Sequence, residues 1–243
     1  MPESAPHSTP AWTQLETLVA DIPGWSPLDQ LFLLYTLTLA SQGVPGDIVE
    51  VGSWCGRSAV VLGTAARLAG PARVHCADLF PDRSDWTRNP DGSFSFAVTI
   101  AGRTYGGYQE QTVWAEPFNA QIEPVYHASP RLLDRFTTTI RQAGLEEIVL
   151  PHRGDLATLL AAQGPDFRCR LAFLDGDHGY DAVCQDIDLI DRHLSPGGWL
   201  CFDDAFSSYT GVDRAISEKI IGNPRYDLCQ QMTRKCFIAR KVS

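Results

Sequence analysis

The stretch from Leu171 to Ala205, LAFLDGDHGYDAVCQDIDLIDRHLSPGGWLCFDDA, constrains the fold more than any other. Leu171 to Leu174 is a continuous apolar run, as expected of a strand covered on both faces in a parallel sheet, and it stops at Asp175-Gly176-Asp177-His178. A second run, Trp199 to Phe202, stops at Asp203-Asp204. Between them Val183, Ile187, Ile190 and Leu194 recur at helical spacing, so the segment reads as strand, helix, strand. A right-handed crossover places both carboxyl ends on one edge of the sheet, where open α/β folds hold their ligands. Asp175, Asp203 and Asp204 are therefore expected to converge. Three carboxylates so close repel one another unless something positive sits among them, and a hard divalent cation such as Mg2+ is the simplest candidate. The plainer alternative is that each caps its own loop through local amides.

The rest of the chain is compatible with one α/β domain. Its 243 residues, 44% hydrophobic and 20% charged, can bury a sizeable core. A formal charge of -9 without a Lys/Arg cluster argues against a nucleic-acid partner. Seven scattered cysteines form no CxxC pair, and Cys76, Cys169 and Cys201 lie in predicted buried strands, as expected of reduced core residues in a cytoplasmic protein. The opening MPESAPHSTPAW lacks a basic region followed by an apolar one, and Leu28 to Ala40 is too short and too polar for a membrane span. The expectation is a soluble, intracellular protein without a membrane partner.

Residues 1–10 read as a tail. Ser26-Pro27-Leu28-Asp29 has the form of a helix start with Ser26 as cap, and Gln42-Gly43-Val44-Pro45 stops that helix. Residues 1–45 are thus expected to form a tail and helical cap, packed on the sheet or on a partner subunit of a homo-oligomer. The domain proper, 46–243, begins with a strand at Asp47 to Val51, a turn at Gly52-Ser53-Trp54-Cys55-Gly56, a helix striped by Val61, Ala65 and Leu68, and a strand at Arg73 to Ala77 closed by Asp78. This is a nucleoside-binding half-fold: the glycines admit the ligand to backbone amides, and the acid receives ribose hydroxyls. A dinucleotide fingerprint would place a glycine where Trp54 stands, so a nicotinamide-dependent oxidoreductase is disfavoured. The pattern ExGxxxG, from Glu50 through Gly52 and Ser53 to Gly56, suits a nucleoside without a diphosphate; an ordinary βα turn is the alternative.

Residues 79–127 interrupt the alternation with an aromatic-rich segment that holds Trp86, Phe94, Phe96, Tyr105, Tyr108, Trp114, Phe118 and Tyr126. Ser93 to Ile100 alternates like a strand and Ala101-Gly102 can turn it into a hairpin. The insertion is read as a lid over an acceptor, a subunit interface, or both. A helix after Ser129-Pro130, striped by Leu132, Phe136, Ile140 and Ala143, leads to a strand at Glu147 to Leu150 and to Asp155. That acid is either an acceptor for an exocyclic amine such as adenine's or the cap of the next helix. A helix over Val212 to Ile221 and two strands, Tyr226 to Gln230 and Lys235 to Arg240, complete the chain.

The motifs VEVGSWCG, CADLF, HRGD, LDGDH and LSPGGWLCFDD together resemble the class I S-adenosylmethionine-dependent methyltransferases over nearly all of 46–243, and the last two resemble the metal-dependent O-methyltransferases of antibiotic sugars, including the macrocin type. The resemblance implies a Rossmann-like doubly wound seven-stranded sheet, mostly parallel with the last strand antiparallel. It implies S-adenosylmethionine held by Glu50, Gly52, Ser53, Gly56, Asp78 and Asp155, and Mg2+ held by Asp175, Asp203 and Asp204. The general base falls on Asp177, although this sequence places His178 beside it. The expected activity is O-methylation of a small-molecule hydroxyl, on a sugar or other vicinal diol. A cofactor-binding accessory or hydroxylase-associated protein of the same lineage is the alternative.

Overall fold

The computed structural model describes residues 12–107 and 112–242. The tail read over residues 1–10, and Tyr108 of the insertion, lie outside the described residues. The expected sheet is present. In chain order its strands are β1 (Asp47–Val51), β2 (Val74–Asp78), β7 (Val149–Arg153), β8 (Cys169–Leu174), β9 (Leu194–Phe202), β10 (Tyr226–Gln231) and β11 (Phe237–Lys241), with β3 to β6 in the insertion. The spatial order is β10-β11-β9-β8-β1-β2-β7. All neighbours pair in parallel except β11, which runs antiparallel to both β9 and β10. Each parallel strand thus delivers its carboxyl end to one edge, and β11 delivers its beginning there.

Strand residues alternate between two apolar layers, because successive side chains face opposite sides of a sheet. Ile48, Cys76, Leu171 and Phe173 pack beneath α3 (Arg57–Ala69) and α5 (Leu132–Gln142). Val49, Ala77, Ala172 and Leu200 pack on the opposite face, under α6 (Leu156–Gln163), α7 (Tyr180–Asp191) and α8 (Thr210–Lys219). The N-terminal helices α1 (Trp12–Val19) and α2 (Leu28–Ala40) form a further layer: Leu15, Val19, Leu31 and Tyr35 bury Val61 and Ala65 on the outer side of α3. Covered on both sides, α3 is buried over most of its surface. Arg57 ties this layer down by donating to the carbonyls of Val19, Ile22 and Ser26. Among the described residues no helix is long and apolar enough to cross a membrane.

Two local expectations shift. Ser26 does not cap α2: Pro27 occupies the cap position without a side-chain hydrogen bond, and the Asp29 carboxylate accepts from the amide of Gln30 instead. The strand expected at 147–150 begins two residues later, because the amides of Ile148 and Val149 both bond back to the Leu145 carbonyl and hold the chain in a turn. The insertion contains a small antiparallel sheet, β3 (Trp86–Arg88), β4 (Phe94–Ile100), β5 (Arg103–Gly106) and β6 (Thr112–Val113), with the anticipated hairpin at Ala101-Gly102. The short helix α4 (Ala115–Pro117) then leads back toward the main domain. Several of its aromatic residues serve structure: Phe94 stacks on Phe118 at 3.9 Å, Trp86 meets both Phe96 and Phe118 at 5.1 Å, and Trp86 donates to the Tyr126 hydroxyl. These rings continue the core rather than forming an open platform.

Candidate active site

The loop after β1 brings its backbone against the tip of β8. A Cβ on Gly52 would stand 1.9 Å from the Asp175 carbonyl oxygen, and φ there is +86°, so only glycine lets the two strand ends approach this closely. Gly56, also at positive φ, begins α3, leaving that helix's first amides without a side-chain cap. Glu50 is fully buried; its Oε2 accepts from the Ser53 hydroxyl at 2.5 Å, while Oε1 has no partner among the described residues. Burial raises its pKa, against the opposing bond from Ser53. Asp78 accepts from the amides of Trp54 (2.8 Å) and Phe80 (2.6 Å), and burial raises its pKa despite those bonds. Glu50, Gly52, Ser53, Gly56 and Asp78 thus share one cradle. Trp54, at φ 42°, packs partly against the core and stacks on Trp25 at 4.3 Å.

Asp155 caps α6 by accepting from the Thr158 amide at 2.9 Å, the second of the two roles open to it from sequence. Its other oxygen receives Arg103 at 3.1 Å and Tyr105 at 3.3 Å. The β4–β5 hairpin therefore reaches the nucleoside side of the sheet edge, a contact that nothing in the local sequence around Asp155 announces.

The three strand-end acids do converge. Asp175 lies within hydrogen-bonding reach of Asp203; burial first, then the charge and hydrogen bond of Asp203, hold its carboxyl well above the usual range. Asp203, itself buried, has both oxygens engaged: Oδ1 accepts from Gln30 Nε2 at 2.7 Å and Oδ2 from Lys235 Nζ at 2.9 Å. Asp204, at φ 52°, presents Oδ1 to the same Lys235 at 3.3 Å, and its Oδ2 lies 3.3 Å from His178 Nε2. Burial pushes the Asp204 pKa up, but the contacts with His178 and Lys235 outweigh it and hold the group below its ordinary value. No group of metal-ligating side chains arranged around a common point occurs among the described residues.

His178 and Asp177 stand between the two halves of the edge. The His178 ring stacks on Tyr209 at 4.0 Å, which fixes its plane. Asp177 is exposed, and its Oδ1 accepts from the Gly179 amide at 2.6 Å as the chain turns into α7. A small cavity beside them is lined by Gly176, Asp177, His178, Asp186, Asp203 and Val212. Gln30 and Lys235 are the site residues that sequence reasoning did not single out. Lys235 was legible in principle, since an antiparallel last strand must begin at the ligand edge. Gln30 stands on a helix distant in sequence and had no such signal.

A family model described as a methyltransferase domain matches residues 49–205. The chain belongs to that methyltransferase family. The matched span runs from β1 to the loop after Asp204 and so contains the cradle and all three strand-end acids. Among solved structures, the chain is similar to the O-methyltransferase NovP at 16% identity, covering 90% of this chain and 84% of that one with a TM-score of 0.61. An O-methyltransferase from Bacillus cereus in complex with SAH is 17% identical over 96% and 92% of the two chains, with a TM-score of 0.56. CalS11, a TDP-rhamnose 3'-O-methyltransferase of calicheamicin biosynthesis, is 15% identical over 98% and 95%, with a TM-score of 0.55. At these identities the likeness is one of fold.

Proposed function

We propose that this methyltransferase takes its methyl group from S-adenosylmethionine and places it on a hydroxyl of a small molecule, a sugar or other vicinal diol of a secondary metabolite or glycan. The observation that carries the reading is the shared edge: the cradle after β1 and β2 opens beside the ends of β8 and β9, where acids and an imidazole stand ready for an acceptor. The cradle fits the cofactor. A buried carboxylate with one unpartnered oxygen, Glu50, suits a cationic amine, and Asp78 is held facing the loop by two amides while each of its oxygens keeps acceptor capacity. The cofactor supplies an electrophilic methyl on a sulfonium, a good leaving group, so orientation and the state of the acceptor contribute most of the catalysis. Asp177 or His178 would accept the acceptor's hydroxyl proton as methyl transfer proceeds, leaving the cofactor as a neutral thioether. Solved structures with the same fold include a TDP-rhamnose 3'-O-methyltransferase of calicheamicin biosynthesis and an O-methyltransferase involved in tomaymycin synthesis, which supports this choice of acceptor class.

The sequence-based expectation adds Mg2+ on Asp175, Asp203 and Asp204. Three carboxylates are the right donors for such an ion. As arranged they do not fit it, because Lys235 and Gln30 take both oxygens of Asp203, and Lys235 and His178 stand against both oxygens of Asp204.

The test is calorimetric titration with S-adenosylhomocysteine, repeated on Asp78→Asn, followed by labelled methyl transfer to a panel of nucleotide-linked sugars and catechols. Binding weakened at least tenfold in the variant, with label entering a hydroxyl, is the expected result. Absence of binding to the wild type overturns the proposal.

A further inference from the structure

Lys235 is built into the acid cluster rather than resting on it. Because β11 is antiparallel, the residues leading into it, Lys235 and Cys236, arrive at the edge where the parallel strands end. Its backbone is anchored there: the Lys235 carbonyl accepts from the amide of Ala205 at 3.0 Å, on the loop that carries Asp203 and Asp204. Gln231 of β10 donates to the Ala205 carbonyl at 3.0 Å and clamps the same loop from the other side. The ammonium is largely withdrawn from water, with 12% of its side chain exposed, and it bridges two carboxylates at 2.9 and 3.3 Å. Buried charges persist where partners compensate them, and this cluster has its cation already.

We propose that Lys235 is the resident cation of this site, filling the place a divalent ion would otherwise take, so that the protein works without a metal. The inference rests on the methyltransferase reading and says how that site is charged. A lysine carries three donors; two are spent on Asp203 and Asp204, and the third is left to hold an acceptor oxygen beside the proton-accepting Asp177 and His178. Gln30 contributes by fixing the far oxygen of Asp203 from the N-terminal layer, so the cluster is closed from two directions. A divalent ion could enter only by displacing the ammonium, and removal of that ammonium should leave an anionic pocket of oxygen donors that a metal can fill.

The experiment measures Mn2+ binding by electron paramagnetic resonance, and the shift in melting temperature caused by Mg2+, for the full chain, Lys235→Ala and Lys235→Arg. Binding of S-adenosylhomocysteine is measured alongside by calorimetry. The expected result is no stoichiometric Mn2+ binding and no Mg2+-dependent shift in the wild type and Lys235→Arg, with both appearing in Lys235→Ala. If Lys235→Ala does not fold, the wild type and Lys235→Arg still decide the matter. One Mn2+ bound per wild-type chain at micromolar concentration overturns the proposal, as does a Lys235→Ala protein that folds and gains no metal. Failure of the wild type to bind S-adenosylhomocysteine would instead count against the methyltransferase reading, so the two failures are told apart.

Discussion

Replacing Asp186 with Asn should stabilise the protein at alkaline pH and leave it unchanged in acid. Asp186 lies on α7 under the Asp177-His178 loop, and its pKa is pushed up to about 7, by burial first and then by the charges of Asp155 and Asp177. The unfolded chain should titrate near the ordinary aspartate value of about 3.9. Below that pH both states carry the proton, and Asn is nearly isosteric with the protonated acid, so the two proteins should match. As pH rises from about 4 to 7 the unfolded state sheds its proton while the folded state keeps it, and the wild type loses stability relative to the variant. Above about 7 the deficit stops growing. A shift of about 3 units corresponds to a ceiling of ~4 kcal/mol at 1.36 kcal/mol per unit. Because the side chain keeps partial solvent contact, screening brings the expected value nearer to 2 kcal/mol, or roughly 6 °C in melting temperature for a chain of this size. Urea denaturation of both proteins at pH 4.5, 6 and 8 measures it. A stability difference that is flat across that range, or that favours the wild type at pH 8, would refute the assignment of Asp186 as a desolvated acid.

Gly52→Ala should abolish S-adenosylhomocysteine binding, measured by calorimetry, because the new Cβ collides with the Asp175 carbonyl and the two strand tips must separate. Phe118→Ala should cost about 3–5 kcal/mol in chemical denaturation, since a fully buried ring packed against Phe94 and Trp86 is lost. Arg57→Ala should release α1 and the turn after it, seen as faster amide hydrogen exchange over residues 13–26 with little change in the central strands, because three carbonyls lose their common donor.

Much of this architecture was legible in sequence because its signals are local and periodic. Continuous apolar runs marked the end of β8 and the end of β9, and each stopped at the acids that form the edge. The convergence of Asp175 with Asp203 followed from the handedness of one crossover and did not depend on knowing any side-chain position. Boundaries were less legible where tertiary bonds override propensity, as in the turn that holds Ile148 back from β7. The role of the insertion stayed open in sequence for a different reason. Aromatic content signals stacking but not its object, and here the rings of Phe94, Phe96, Trp86 and Phe118 stack chiefly on one another.

The least legible part was charge. Acids advertise themselves in sequence because they stand in tight motifs at strand ends, whereas the groups that answer them arrive from elsewhere: Gln30 from a helix before the sheet begins, and Lys235 from the turn before its last strand. A search for the cation that balances the LDGDH and FDD acids naturally looks outside the chain, since a lysine some thirty residues downstream carries no motif of its own. Topology supplies the missing link. In a sheet that is parallel except for its final strand, the residues that can face the carboxyl-end loops are the ends of the parallel strands and the start of the antiparallel one. Any basic residue in the turn leading into β11 is thereby a candidate counter-charge for the ends of β8 and β9. Whether such a residue is present decides between two chemistries on the same scaffold: a pocket that must import its positive charge, and one that carries it covalently and can keep it at any metal concentration.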